Sequence, residues 1–98
     1  MTITKTMNGT KLFAAVSGRL DTVTAPDFET EMAGALKGVT DVTLDFAQLE
    51  YIASAGLRAL LMIHDTLNGA GSLKIVNANE LIKEVFDVTG FNRILVIE

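Results

Sequence analysis

The spacing of apolar positions changes several times along the chain, and each change predicts an element. Lys11 to Ser17 reads as a strand. The Asn8-Gly9 pair before it is a hairpin signal, because a type I′ turn needs positive φ at both central residues. A short strand near Ile3 completes an N-terminal antiparallel hairpin. Gly18-Arg-Leu-Asp21-Thr-Val-Thr24 reads as a loop that leads into a helix. Ala25, Phe28, Met32, Ala35 and Leu36 then fall at helical spacing. Pro26 suits the first turn, where a missing N–H is harmless, and Asp27, Glu29 and Glu31 lie toward the positive end of the dipole. Gly38 stops the run.

Val42-Thr-Leu-Asp-Phe46 predicts a strand of a sheet covered on both faces. A second helix is expected from about Ser54 to the Gly69-Ala-Gly71 breaker. Its Leu57, Leu60, Leu61, His64 and Leu67 form the stripe expected to be buried. Leu73 to Val76 reads as a buried strand. Asn79 is placed to cap a third helix that carries Leu81, Ile82, Val85, Phe86 and Val88 and ends at Gly90. Ile94 to Ile97 closes the sheet. The order β-β-α-β-α-β-α-β predicts an α/β fold, a mixed, mostly parallel sheet with an N-terminal antiparallel hairpin and about three main helices packed on it. With no repeat, linker or low-complexity stretch, residues 1–98 are expected to form a single domain.

Composition narrows the function more than the fold. The formal net charge is −4, and no basic stripe is present to neutralise a phosphate backbone, so nucleic acid and acidic lipid surfaces are set aside. No cysteine is present, which excludes disulfides, thiol catalysis and cysteine metal sites. The segment Met1-Thr-Ile-Thr-Lys-Thr-Met7 lacks the apolar core of a signal peptide. The longest apolar run, Leu57 to Ile63, is interrupted by Arg58 and falls far below the roughly 20 residues that span a bilayer. The expectation is a cytoplasmic protein without membrane insertion.

The chemistry concentrates between Val42 and Leu61. Ser54 is the last polar residue before Ala55-Gly56-Leu57 opens the apolar helix, where the first N–H groups have no internal partners and the dipole is positive. A hydroxyl there is an ordinary N-cap, and it is also a place where an added phosphate is stabilised. Gly56 permits either a close backbone approach or tight packing. A serine hydrolase elbow needs Gly-x-Ser-x-Gly, and the chain offers Ile52-Ala-Ser54-Ala-Gly56. Its only histidine, His64, falls about 15 Å along the same helix and reads as a packed or half-buried residue. Gly9-Thr-Lys11 lacks the upstream glycine of a nucleotide-binding loop. The chain is therefore not expected to be an enzyme.

The stretch Tyr51-Ile-Ala-Ser54-Ala-Gly56-Leu-Arg58 resembles the signature of STAS-domain proteins, specifically the bacterial anti-sigma factor antagonists, whose pattern is Asp-Ser-Ser-Gly-Leu-Gly entering a helix. Gly18-Arg-Leu-Asp21 resembles that family's Gly-x-Leu/Ile-Asp loop, and Phe86-Asp-Val-Thr-Gly90-Phe91 its late segment. Ala53, Ala55 and Arg58 depart from the pattern at the Asp, the second Ser and the last Gly. The resemblance implies a phosphorylation-controlled partner switch. The unmodified protein binds an anti-sigma factor that is also a serine kinase, a sigma factor is freed, phosphorylation of Ser54 ends the interaction, and a serine phosphatase restores it. No cofactor is expected on this chain, since ATP belongs to the kinase. The implied partner contacts are Asp21, Thr22, Ala53, Ala55, Gly56, Arg58 and Met62. Asp21 has a turn or capping role as its structural rival. Ser54, Arg58, Met62 and Asp65 share one helical stripe, and Arg58 is expected to be exposed near Ser54, as a partner contact or as a solvated charge. The same resemblance offers one other function, a constitutive docking subunit of a lipid- or anion-transport complex that needs no phosphoacceptor.

Overall fold

The residues that alternate along the strands decide where everything else sits. In a computed structural model, which describes residues 1–67 and 71–98, the chain forms β1 (Thr2–Asn8), β2 (Lys11–Leu20), α1 (Ala25–Ala35), β3 (Asp41–Ile52), α2 (Ser54–Leu67), β4 (Ser72–Val76), α3 (Glu80–Thr89), a 3-10 turn (Phe91–Arg93) and β5 (Val96–Ile97). The sheet runs β1-β2-β3-β4-β5, with β1 antiparallel to β2 and the other neighbours parallel. The predicted order of elements and the N-terminal hairpin are both present.

Leu12, Ala14 and Val16 of β2, Val42, Leu44 and Phe46 of β3, and Leu73 and Ile75 of β4 are buried, while the residues between them are not. Each right-handed crossover advances one strand in the same direction, which puts α1, α2 and α3 on one side of the sheet. The sheet is thus covered on one face, not on both as predicted. Thr43 and Asp45 point to the open face beside Phe13, Ala15, Lys74 and Val76. The covered face forms one core in which Phe28 and Met32 of α1, Leu60 and Ile63 of α2, and Ile82 and Phe86 of α3 meet the strands. Leu81 and Val88 of α3, predicted as part of its apolar face, are exposed instead.

Several boundaries differ from the sequence reading. The hairpin register pairs Asn8 with Lys11, so the turn residues are Gly9 and Thr10. Only Gly9 has positive φ, at 64°. That is the sign pattern of a type II′ turn, which takes Gly first and spares Thr10 a strained backbone. β2 continues through Gly18, Arg19 and Leu20, where the sequence predicts loop. β3 runs six residues past Phe46, to Ile52. Its register with β2 shifts between Ala15 and Ser17 and again between Gly18 and Arg19. The inward positions accordingly pass from Phe46 to Leu49 and then to Ile52, in steps of three. Each bulge adds a residue and preserves the inward face. The first is held by Asp45, whose Oδ1 accepts from the Ala47 N–H at 2.9 Å.

Both ends of α3 follow the residues predicted for them. The Asn79 side chain accepts from the Ile82 N–H at 2.9 Å and donates to the Leu49 carbonyl at 3.2 Å. Gly90 ends α3 in the left-handed region at φ 79°. At the opposite end of the sheet, Asp41 accepts from the Ser72 hydroxyl at 2.8 Å and from the Thr40 hydroxyl at 2.9 Å, tying the starts of β3 and β4 together. These bonds, the Ser72 one foremost, hold the Asp41 carboxyl below its ordinary range. The predicted end of α2 at Gly69 lies outside the described residues. No helix among them is long and apolar enough to cross a membrane.

Candidate functional site

β3 delivers the chain to α2 at the end of the sheet, and a pair of backbone bonds fixes that junction. The Ala53 N–H donates to the Leu20 carbonyl at 2.9 Å, and the Ala53 carbonyl accepts from the Leu57 N–H at 3.0 Å. Ala53 is therefore the N-cap of α2, and Ser54 is the first helical residue rather than the cap predicted for it. The hydroxyl has no capping role because the chain turns one residue earlier. Ser54 is exposed, and its Oγ has no hydrogen-bond partner among the described residues. The N–H groups of Ser54, Ala55 and Gly56 precede the first intrahelical donor, so they carry the positive end of the helix dipole next to that hydroxyl.

Gly56 explains why the helix starts this close to the sheet. A Cβ on it would lie 2.8 Å from Ile52 Cγ1, 2.9 Å from Leu20 Cγ and 3.0 Å from the Leu20 carbonyl oxygen. Gly56 is buried and lets α2 sit against β2; it presents no surface of its own, unlike the partner contact expected of it. Arg58 is exposed one turn beyond Ser54, as predicted. Met62 is half-buried and packs on the core, as does part of Ala55. Ala53 is partly exposed. The buried face of α2 is Gly56, Leu57, Ala59, Leu60, Ile63 and Leu67. Leu61, predicted to be buried, is half-buried, because the face is centred on Ala59 and Ile63, and His64 is half-buried, in keeping with its reading as a packed or half-buried residue.

The turn after β2 lies beside this junction, held there by the Ala53–Leu20 bond. Asp21 Oδ1 accepts from the Val23 N–H at 3.0 Å and the Thr24 N–H at 3.1 Å, and the Asp21 N–H donates to Thr24 Oγ1 at 2.9 Å. Thr24 Oγ1 donates in turn to the Arg19 carbonyl at 2.8 Å. This reciprocal clasp ends on α1, whose Ala25 N–H donates to the Asp21 carbonyl at 2.8 Å. The turn role that rivalled partner contact for Asp21 is therefore occupied. Thr22 and Val23 are carried outward on the clasp, and Val23 is 83% exposed. Arg19 lies across the Tyr51 ring at 4.6 Å from its centroid, with Nε 3.6 Å from Asp21 Oδ2. Sequence reasoning assigned no role to Arg19, Val23 or Thr24. The Asp21-x-x-Thr24 spacing, two residues with capping side chains three apart, was the available signal for the clasp.

The Thr24 N–H, then the Val23 N–H and the Thr24 hydroxyl, hold the Asp21 carboxyl below its ordinary value of 3.8. A depressed folded-state pKa contributes stability that is present above the unfolded value and lost as pH falls through the folded one. Asp21→Ala is accordingly expected to lower the melting temperature at neutral pH. The gap from the unsubstituted protein should close as the pH falls below about 3.8, where the clasp loses its carboxylate. Thermal melts of both proteins from pH 7 to pH 3 check this, and a gap that stays constant with pH would show that the carboxylate charge is irrelevant.

Residues 3–97 match the family described as the Mlab, STAS domain. BtrV of Bordetella bronchiseptica, named as an anti-sigma factor antagonist, is 35% identical over 82 residues, covering 82% of this chain and 71% of BtrV. Among solved structures, an anti-sigma factor antagonist from Mycobacterium paratuberculosis superposes with a TM-score of 0.88 at 21% identity, covering 98% of this chain and 83% of that one. The anti-sigma factor antagonist SpoIIAA in its unphosphorylated form superposes with a TM-score of 0.77 at 18% identity, covering 99% and 87%. The chain is a member of the STAS-domain family.

Proposed function

We propose that this chain is an anti-sigma factor antagonist whose binding to an anti-sigma factor kinase is switched off by phosphorylation of Ser54. The observation that carries the reading is the free, exposed Ser54 hydroxyl on the first residue of α2, beside a rigid turn that presents Thr22 and Val23. The similarity to BtrV supports the antagonist role. The SpoIIAA fold, solved in both phosphorylated and unphosphorylated forms, supports the compatibility of this scaffold with a phosphate.

A phosphate on Ser54 brings about −1.5 to −2 charges and three acceptor oxygens to a helix N-terminus whose N–H groups are unpaired. The fold tolerates that addition, because the charge has the favoured sign for the dipole. Arg58, one turn along, adds a cation on the same exposed stripe. The partner surface does not tolerate it, since a bulky ion must be desolvated where two proteins meet. The switch therefore needs no refolding of this chain. In this reading the protein acts by binding and is not an enzyme, the kinase carries the ATP, and a phosphatase resets Ser54.

Incubation with the anti-sigma kinase of the same genome and ATP tests the modification. The intact mass is expected to rise by one phosphate, and the Ser54→Ala variant should stay unmodified. Phosphate on a different residue, or none at all, would refute Ser54 as the switch.

A further inference from the structure

We infer that a second copy of this chain docks along β1, antiparallel, with Thr4 facing Thr4 across a two-fold axis. β1 is an edge of the sheet. Asn8 and Lys11 flank a two-residue turn, which makes them a hydrogen-bonded pair, so the even-numbered residues of β1 aim their N–H and C=O groups at β2. Ile3, Lys5 and Met7 aim theirs outward, along an edge whose register with β2 is unbroken. Edges are usually guarded by proline, a bulge or a projecting lysine. Here the single lysine, Lys5, is drawn toward α1, with its ammonium 3.7 Å from Glu31.

The same edge borders a groove of about 380 Å³ between β1 and α1, lined by Met1, Ile3, Thr24, Asp27, Thr30 and Glu31. Its strand side is apolar, and two carboxylates stand on its helix side. The strand that would fill it is β1 itself. With the two-fold axis at Thr4, Met7 of the second copy lies opposite Met1, and Lys5 of the second copy lies opposite Ile3. A methionine that is 50% exposed in one copy thus enters the apolar side of the groove. The incoming ammonium faces Asp27 and Glu31. Every contact is made twice, as a two-fold interface requires. Thr2 pairs with Thr6 on the open face, extending its threonine row. Centring the axis on Lys5 would instead set two ammonium groups directly opposite each other, and centring it on Thr6 would leave Ile3 and the groove unfilled. Ser54 lies at the end of β3, two strands from this edge, and its phosphorylation is not a premise of this inference.

Sedimentation equilibrium, two variants and one control test it. The mass of the unsubstituted protein is expected to climb from 10.5 kDa toward twice that value as concentration rises. Lys5→Pro removes an outward N–H but no bond to β2, so it should keep the native circular dichroism and remain at the monomer mass. The chain has no cysteine, so oxidation of Thr4→Cys reads the axis directly. Facing residues in a non-hydrogen-bonded pair have Cα atoms about 4.5 Å apart, within disulfide reach. Thr4→Cys should cross-link faster than the exposed control Thr66→Cys. A monomer mass at every concentration, a Lys5→Pro protein that still dimerises, or equal cross-linking of the two cysteine variants would each overturn the inference.

Discussion

Ser54→Asp is expected to weaken binding to the anti-sigma kinase by a hundredfold or more while leaving the melting temperature within a few degrees of the unsubstituted protein. The two halves of that expectation rest on different physics. Within the chain, a carboxylate on the first residue of α2 meets the unpaired N–H groups of Ser54, Ala55 and Gly56, an arrangement that stabilises a helix by about 0.3–1 kcal/mol. Across an interface, the same carboxylate must lose water where the partner has been shaped for a neutral hydroxyl. Leaving an ion desolvated there costs about 3–4 kcal/mol, which is a loss of hundreds-fold in affinity. Calorimetric titration of the kinase with the Asp, Ala and unsubstituted proteins, alongside melts of all three, separates the two halves. Ser54→Ala should bind like the unsubstituted protein and escape modification. A constitutive docking subunit would bind equally well with Asp at position 54, and that outcome would sink the switch.

The elements and their order were legible because their periodicities are strong. The 3.6-residue stripe through Phe28 and Met32, the Asn79 cap and the Gly90 stop each act locally, and local signals survive into the fold. The open face of the sheet was also written in the chain, since Val42-Thr-Leu-Asp-Phe46 alternates strictly. Thr43 and Asp45, the polar positions of that alternation, mark the face that no helix covers. What the sequence did not disclose is the rest of β3. Two bulges change its inward spacing from two residues to three after Phe46, so neither a strand nor a helix period describes Ala47 to Ile52. The bulges depend on pairing with β2, a neighbour distant in the chain.

The candidate site divides the same way. An exposed hydroxyl at the start of an apolar helix was legible in Ser54 and the residues after it, yet its place as first helical residue rather than cap was not. That depends on the Leu20 carbonyl capturing the Ala53 N–H and so ending the strand one residue early. Asp21 was equally ambiguous between contact and turn until Thr24 was seen to bond it in both directions. The same clasp that occupies the carboxylate leaves Thr22, already among the expected contacts, and Val23 as the projecting residues of the loop. Arg19 was invisible as a participant because its partners, the Tyr51 ring and Asp21, come from a neighbouring strand and from the turn.

Gly56→Val is expected to destabilise the protein by about 2–3 kcal/mol. A first methyl group at Gly56 already falls within 3.0 Å of Ile52 Cγ1, Leu20 Cγ and the Leu20 carbonyl oxygen. Neither side chain has room to yield, since Leu20 and Ile52 are themselves buried in the core. The carbonyl is less free still, because it holds the Ala53 N–H that starts α2. Replacing a helical glycine with alanine ordinarily gains about 1 kcal/mol, which partly offsets the first contact, so Gly56→Ala should be the milder variant. Valine adds two further carbons and a β-branched side chain to the same space and recovers less helix propensity. For a domain of this size the valine variant should melt roughly 10–20 °C lower. The displacement also moves α2 away from Leu20, carrying Ser54 off the Asp21–Thr24 clasp. Valine should therefore weaken partner binding at temperatures where the protein is still folded. A Gly56→Val protein that melts with the unsubstituted one would mean that α2 does not pack against β2 through this glycine, and the geometry argued for Ser54 would fall with it.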